Sequence, residues 1–188
     1  MSEKTPTRQE ALELVLQYNE TASLINHAKA VEAAMRYIAR KTGEAEEAWG
    51  IVGLIHDLDH EKFPEQHCQK TESILRENNW PEEYIRAALS HGWGICTELE
   101  PQTLLEKTLY TVDELSGFVS ACALVRPSKS VADLEVKSVK KKWKQKSFAA
   151  GVDRDVVAKG MAMLDVEFDE ITADVINALR EVSDDIGL

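Results

Sequence analysis

Apolar residues recur at helical spacing along nearly the whole chain of 188 residues. Within 7–18, for example, Ala11, Leu12, Val15 and Leu16 fall on one face of a helix. No segment shows the sustained alternation of apolar and polar residues that is typical of a half-buried strand. Nine glycines and five prolines are also too few for the many tight turns of a β-sandwich or barrel. The sequence therefore predicts an all-α protein.

Stop signals such as Gly43 and Pro127 divide this pattern into eight or nine helices. The predicted helices cover 7–18, 23–41, 44–58, 65–78, 81–91, 101–125, 130–146, 153–164 and a last stretch from about 166. We expect a single compact bundle in which 1–188 form one domain. Its core would lie at about 20–125, with the helices of 130–188 packed onto it.

The net charge of −11 argues against binding of nucleic-acid polymers, since Lys and Arg bind phosphate backbones. A lysine-rich stretch at 140–146 is interpreted as the solvated face of an amphipathic helix. No apolar run approaches the ~20 residues needed to span a bilayer, and the chain begins without an apolar signal region. The three cysteines contain no CxxC pair and suggest no disulfide framework, so Cys96 and Cys122 are expected to be inert. We expect a cytoplasmic protein without a membrane partner, and the oligomeric state stays open.

Four residues with metal-binding chemistry lie in apolar, helical surroundings. His27 precedes apolar residues on its own helix face, and Asp113 follows apolar residues on the face of another predicted helix. His56 and Asp57 end the most hydrophobic run before Ala121. Burying two carboxylates is costly unless a countercharge offsets them, and one divalent cation would do so most simply. Imidazole and carboxylate together suit Zn, Mn, Fe, Co or Ni.

The order of His27, His56-Asp57 and Asp113 resembles the signature of the HD superfamily of metal-dependent phosphohydrolases. Residues 53–57, Gly-Leu-Ile-His-Asp, resemble the family's GLLHD element, and 110–129 is similar to a bacterial and archaeal subgroup of HD-domain hydrolases. The resemblance covers nearly the whole chain. It implies an HD-type helical bundle that holds a divalent ion, namely Mn, Fe, Zn, Co, Ni or Mg.

Two further histidines bear on the number of metals. His67 and His91 lie between the HD pair and Asp113, which resembles the placement of extra ligands in dinuclear HD enzymes. In those enzymes the HD aspartate, here Asp57, bridges two metals. The dinuclear members read HDIGK where 56–60 of this chain reads His-Asp-Leu-Asp-His. One or two metals per chain both remain open.

The resemblance implies metal-assisted hydrolysis of a small phosphorylated molecule, with nucleotides among the candidates. Asp57 or Asp59 could accept a proton from the attacking water. Charge on the phosphate could be neutralised by a cationic side chain, and the candidates are Lys62, Arg126 and Lys129. A polar loop after a helix explains Asp59 and Lys62 equally well.

Two other functions fit the same residues. One is a dinuclear iron oxygenase, for which all four of His27, His56, His67 and His91 would be required as ligands. The other is a non-catalytic nucleotide- or partner-binding module that keeps its metal for structure. His60 is interpreted as a solvated loop residue that is close enough in sequence to reach a substrate, and Glu114 as a surface residue.

Overall fold

The computed structural model describes residues 5–188, which form ten α-helices and no β-strand. The helices are α1 (Arg8–Tyr18), α2 (Ala22–Thr42), α3 (Glu46–Ile55), α4 (Gln69–Glu77), α5 (Glu82–Leu89), α6 (Leu104–Leu124), α7 (Val136–Trp143), α8 (Arg154–Leu164), α9 (Phe168–Glu181) and α10 (Ser183–Ile186). Short 3-10 helices lie at Pro64–Gln66 and Ser90–Gly92. The all-α prediction is confirmed. None of the described helices is long and apolar enough to cross a membrane.

Local sequence sets several helix boundaries. Thr7 and Thr103 begin α1 and α6 with capping boxes: each hydroxyl accepts a hydrogen bond from a glutamate amide, and that glutamate's carboxylate accepts one from the threonine amide. Helix α2 ends at Gly43, whose φ of 77° lies in the left-handed region that glycine adopts without strain. Capping residues therefore set the starts of α1 and α6 and the end of α2.

Two helices of 21 residues each, α2 and α6, lie at the centre of the bundle. Helix α2 packs against α3, α6 and α9, and α6 packs also against α8. Helices α2 and α3 cross closely, since a Cβ on Gly53 would lie 3.1 Å from the backbone of Glu32. This crossing brings the end of α3 beside α2, where the rings of His27 and His56 are 5.5 Å apart.

The C-terminal helices pack on this centre. Helix α9 contacts α2 and α6, and α7 contacts α6 and α9. Their buried residues, including Val139, Val157, Ile171 and Val175, join the hydrophobic core formed by α2, α3 and α6. The division into a core at 20–125 and outer helices at 130–188 stays a prediction.

Three helices differ from their predicted extents. The helix predicted at 44–58 ends at Ile55, and residues 56–62 form turns in which Asp59 accepts a hydrogen bond from the Thr71 amide of α4. The helix predicted at 65–78 is divided at Cys68, whose φ of 69° is incompatible with a continuous helix. The helix predicted at 130–146 begins only at Val136, since side chains of the preceding segment hold it in turns.

Candidate metal centre

The candidate ligands come from separate elements that meet at the C-terminal end of α3. They are His27 on α2, His56 and Asp57 directly after α3, His67 ahead of α4, His91 in the 3-10 helix after α5, and Asp113 on α6. All of them line one pocket except His56, which is buried behind it. The structure therefore brings together residues that are spread over 87 positions of the sequence, from 27 to 113.

One group of donor atoms lies between α2, α3 and α6. His27 Nε2 is 2.9 Å from Asp113 Oδ1, and His56 Nε2 is 3.3 Å from the same oxygen. One donor atom from each of His27, His56 and Asp57 lies within 4.8 Å of the other two. Imidazole nitrogens and carboxylate oxygens at this spacing can share a first-row divalent cation.

A second group lies on the other side of Asp57. Asp57 Oδ1 is 3.2 Å from His91 Nε2 and 3.5 Å from His67 Nε2, and these two nitrogens are 3.2 Å apart. The other oxygen, Asp57 Oδ2, is 3.6 Å from His56 Nε2. Asp57 thus directs one carboxylate oxygen toward each group of histidines.

Backbone carbonyls orient two of the histidines. His56 Nδ1 donates to the Gly53 carbonyl at 2.7 Å, and His91 Nδ1 donates to the Ala88 carbonyl at 2.6 Å. These bonds turn the Nε2 atoms of both rings toward the carboxylates, as in histidines that bind metals. His56 Nε2 is fully buried and makes no hydrogen bond to any residue of 5–188. A buried polar atom of this kind requires a partner, so the donor set fits a divalent cation.

The carboxylates and histidines shift one another's protonation equilibria. Burial by itself raises the pKa of Asp57 and of Asp113, but the neighbouring histidines outweigh burial and hold both pKa values well below their usual range. Burial likewise opposes the charged forms of His56 and His91, but the two aspartates outweigh it and raise the pKa of both imidazoles. The buried carboxylates are therefore stabilised as anions by positive charge close to them. A bound cation can supply this positive charge.

Asp59, one of the two predicted catalytic bases, does not lie where a base would have to lie. It is fully buried, and both of its oxygens have partners in the protein: Oδ1 accepts from His67 Nδ1 at 2.8 Å, and Oδ2 accepts from the Thr71 amide at 2.8 Å. These bonds leave Asp59 without access to a water in the pocket. Its carboxylate instead turns His67 Nε2 toward Asp57.

The three predicted phosphate-binding cations are not brought to the site. Lys62 Nζ donates to the Gln17 carbonyl at 2.7 Å, and Arg126 donates to both oxygens of Asp133 at 3.0 and 2.8 Å. Lys129 lies exposed in the turns that follow α6. The pocket has a volume of about 350 Å³, and within residues 5–188 no lysine or arginine lines it.

Two residues interpreted as surface residues line the pocket. His60 Nδ1 is 3.8 Å from Asp57 Oδ2, and 52% of the His60 side chain is exposed. Glu114 follows Asp113, where burial and the Asp113 carboxylate raise the pKa of Glu114 to about 7. One sequence feature could have indicated that they line the site: His60 is three residues after Asp57, and Glu114 directly follows Asp113.

Cys68 and Cys96 form a disulfide bond that the cysteine pattern did not suggest. The bond joins the residue after His67 to the loop after His91, and Cys96 also lines the pocket. The pair is 28 residues apart, and such a pairing depends on tertiary proximity rather than on spacing. Cys122 is buried, and burial raises the pKa of its thiol to about 12, which agrees with an inert residue.

A protein-family model described as the HD domain matches residues 24–117, which is half of the chain. The matched segment begins three residues before His27 and ends four residues after Asp113, so it contains all six candidate ligands. No curated protein and no solved structure matches the chain significantly.

Proposed function

Because the chain belongs to the HD domain family, we propose that it is a metal-dependent phosphohydrolase that cleaves a small phosphate ester. Proteins with this domain are generally metal-dependent hydrolases. The observation that carries the proposal is the position of Asp57, whose two oxygens face two separate groups of histidines.

Under this proposal each group of histidines holds a cation. His27, His56 and Asp113 would hold one, His67 and His91 would hold a second, and Asp57 would contact both. When bound, such cations supply Lewis acidity toward a phosphoryl oxygen and lower the pKa of a coordinated water. The mixed nitrogen and oxygen donors suit Mn, Fe, Zn, Co or Ni better than Mg, which prefers oxygen ligands.

The protein's own residues contribute orientation and proton transfer. The Gly53 and Ala88 carbonyls hold His56 and His91, and Asp59 holds His67, so the ligands are in place before substrate arrives. His60 lies at the exposed edge of the pocket, 3.8 Å from Asp57, and would be the side chain that exchanges a proton with a substrate oxygen.

Metal analysis of protein purified without chelator tests the proposal, together with hydrolysis assays on phosphomonoesters and phosphodiesters. We expect two metals per chain, falling to one in His91→Ala, and loss of turnover in His56→Ala. Lys129→Ala is the control, since Lys129 lies away from the pocket. Unchanged turnover and occupancy in His56→Ala would contradict the proposal. Metal binding without turnover of any ester would favour the non-catalytic binding module.

One observation favours a dinuclear iron oxygenase as the second candidate. All four of its required histidines, His27, His56, His67 and His91, lie around the two aspartates. The oxygenase predicts two irons per chain and substrate-dependent O2 consumption. A hydrolase predicts ester cleavage at the same rate with and without O2, so an anaerobic assay separates the two.

A further inference from the structure

Aliphatic side chains form much of the rim of the metal pocket. They are Leu24 in the first turn of α2, Ile95 in the loop after His91, Val152 just before α8 and Val156 in its first turn. Ile95 is 61% exposed, one of the most exposed large apolar side chains in the described part of the protein. Separate parts of the fold therefore bring aliphatic groups to the rim above the charged residues of the pocket.

The charge of this pocket differs from that of most phosphate sites. Arginine and lysine, which usually clamp phosphates, are missing from the pocket wall throughout the described chain. Three carboxyl groups line it instead, those of Asp57, Asp113 and Glu114, and a fourth, Asp59, lies buried behind His67. Bound cations would therefore be the source of positive charge, and no lysine or arginine of the described chain adds to it at the pocket wall. A second phosphate on the substrate would therefore find no compensating charge and would be repelled.

The size of the pocket sets a further limit. A volume of about 350 Å³ lies near the lower end of the ~300–1,000 Å³ that is typical of ligand-binding pockets. A phosphoryl group and the cations fill part of this volume. The rest accommodates a short aliphatic chain or a single small ring, whereas a whole nucleoside would extend into solvent.

We infer that the site accepts monophosphate esters of small, largely apolar alcohols and discriminates against diphosphates and triphosphates. This inference rests on the proposed function and names the substrate class of that site. The phosphoryl group lies against the charged residues of the pocket, and the organic group lies against Ile95 and Val152. Transfer of the organic group from water to this rim is favourable because it buries apolar surface.

The experiment compares butyl phosphate with butyl diphosphate and ATP on the manganese-loaded enzyme, by kcat/KM. Calorimetry with butylphosphonate, which is not hydrolysed, measures binding separately. Ile95→Ser removes an apolar rim contact at an exposed position and should not affect folding. Leu16→Ser is the matched control, because Leu16 is 52% exposed on α1 and lies outside the pocket.

We expect butyl phosphate to be the best of the three substrates. Ile95→Ser should lower its kcat/KM about tenfold through a higher KM, the effect of losing a methylene-sized contact in an apolar pocket. Inhibition by inorganic phosphate should stay unchanged in this variant, since phosphate does not reach the rim. Ile95→Lys should shift the preference toward butyl diphosphate, and Leu16→Ser should behave as the parent.

Three results separate this inference from the proposed function. Faster turnover of butyl diphosphate or ATP, or an unchanged KM in Ile95→Ser, overturns the inference and leaves the hydrolase in place. If no ester is cleaved but the loaded protein binds butylphosphonate more tightly than butyl diphosphate, the proposed function fails and the ligand class stands. If the loaded protein binds neither compound, both fail.

Discussion

Replacing Asp113 by alanine tests the candidate metal centre most directly. Asp113 Oδ1 lies 2.9 Å from His27 Nε2 and 3.3 Å from His56 Nε2, so the variant removes the carboxylate that these imidazoles share. The Asp113 side chain is only 16% exposed, and its removal also relieves the free-energy cost of burying a carboxylate. We therefore expect a folded variant that has lost affinity for the cation held with His27 and His56, while the site at His67 and His91 remains.

The expected size of the effect follows from linkage. A metal that binds only the native state raises the free energy of unfolding by about 2.7 kcal/mol at 100 times its Kd. For a chain of this length, each 1 kcal/mol shifts Tm by about 2–4 °C, so this one site should add about 5–11 °C to the Tm of the parent. Loss of a charged ligand should weaken binding at least about a hundredfold, the upper end of what loss of an outer partner costs. At the same metal concentration the site should then add at most about 1–2 °C in Asp113→Ala, beside the unchanged contribution of the second site.

The assay is thermal unfolding with and without added manganese, supported by metal analysis of the dialysed protein. Asp133→Ala is the matched control, since it removes an exposed carboxylate that pairs with Arg126 outside the pocket. It should keep the full shift of the parent. A parent-like shift and parent-like metal content in Asp113→Ala would refute the assignment of Asp113 as a ligand.

Four further predictions concern other residues of the protein. Asp59→Asn should weaken the second metal site about 10–100-fold and leave the first intact, which metal titration measures; equal loss at both sites would contradict a role in orienting His67 alone. Lys62→Ala and Arg126→Ala should each leave KM for a phosphomonoester within about twofold, because neither side chain lines the pocket; a tenfold rise in either would show that the residue reaches the substrate. Cys68→Ser should lower the free energy of unfolding by about 3–4 kcal/mol in urea melts, because it opens a loop closed by residues 28 apart. A urea melt of the parent that is unchanged by reduction would contradict this. The native protein should also give no reaction with an aromatic disulfide reagent at pH 8, since the raised pKa of Cys122, about 12, keeps that buried thiol protonated.

The fold class and most of the candidate ligands could be predicted from the sequence, because both depend on patterns within single helices. A repeat near 3.6 residues predicts a helix wherever it persists, and all the long helices of the structure show it. His27 and Asp113 share a helix face with apolar residues, so a helix that buries this face carries the polar side chain inward with it. The His56-Asp57 pair directly follows an apolar run whose residues, Trp49 to Ile55, are all buried, so this pair also begins inside the protein.

Tertiary structure decided which of the remaining side chains face the pocket. Lys62 is bound to the Gln17 carbonyl and Arg126 to Asp133, while His60 and Glu114 line the site. His67 points inward because Asp59 holds its ring, and Asp59 is itself held by the Thr71 amide. A helical residue takes its direction from the periodicity of its own segment, which can be read locally. A residue in a turn takes its direction from the group that it meets, and in this protein those groups lie on other elements of the fold.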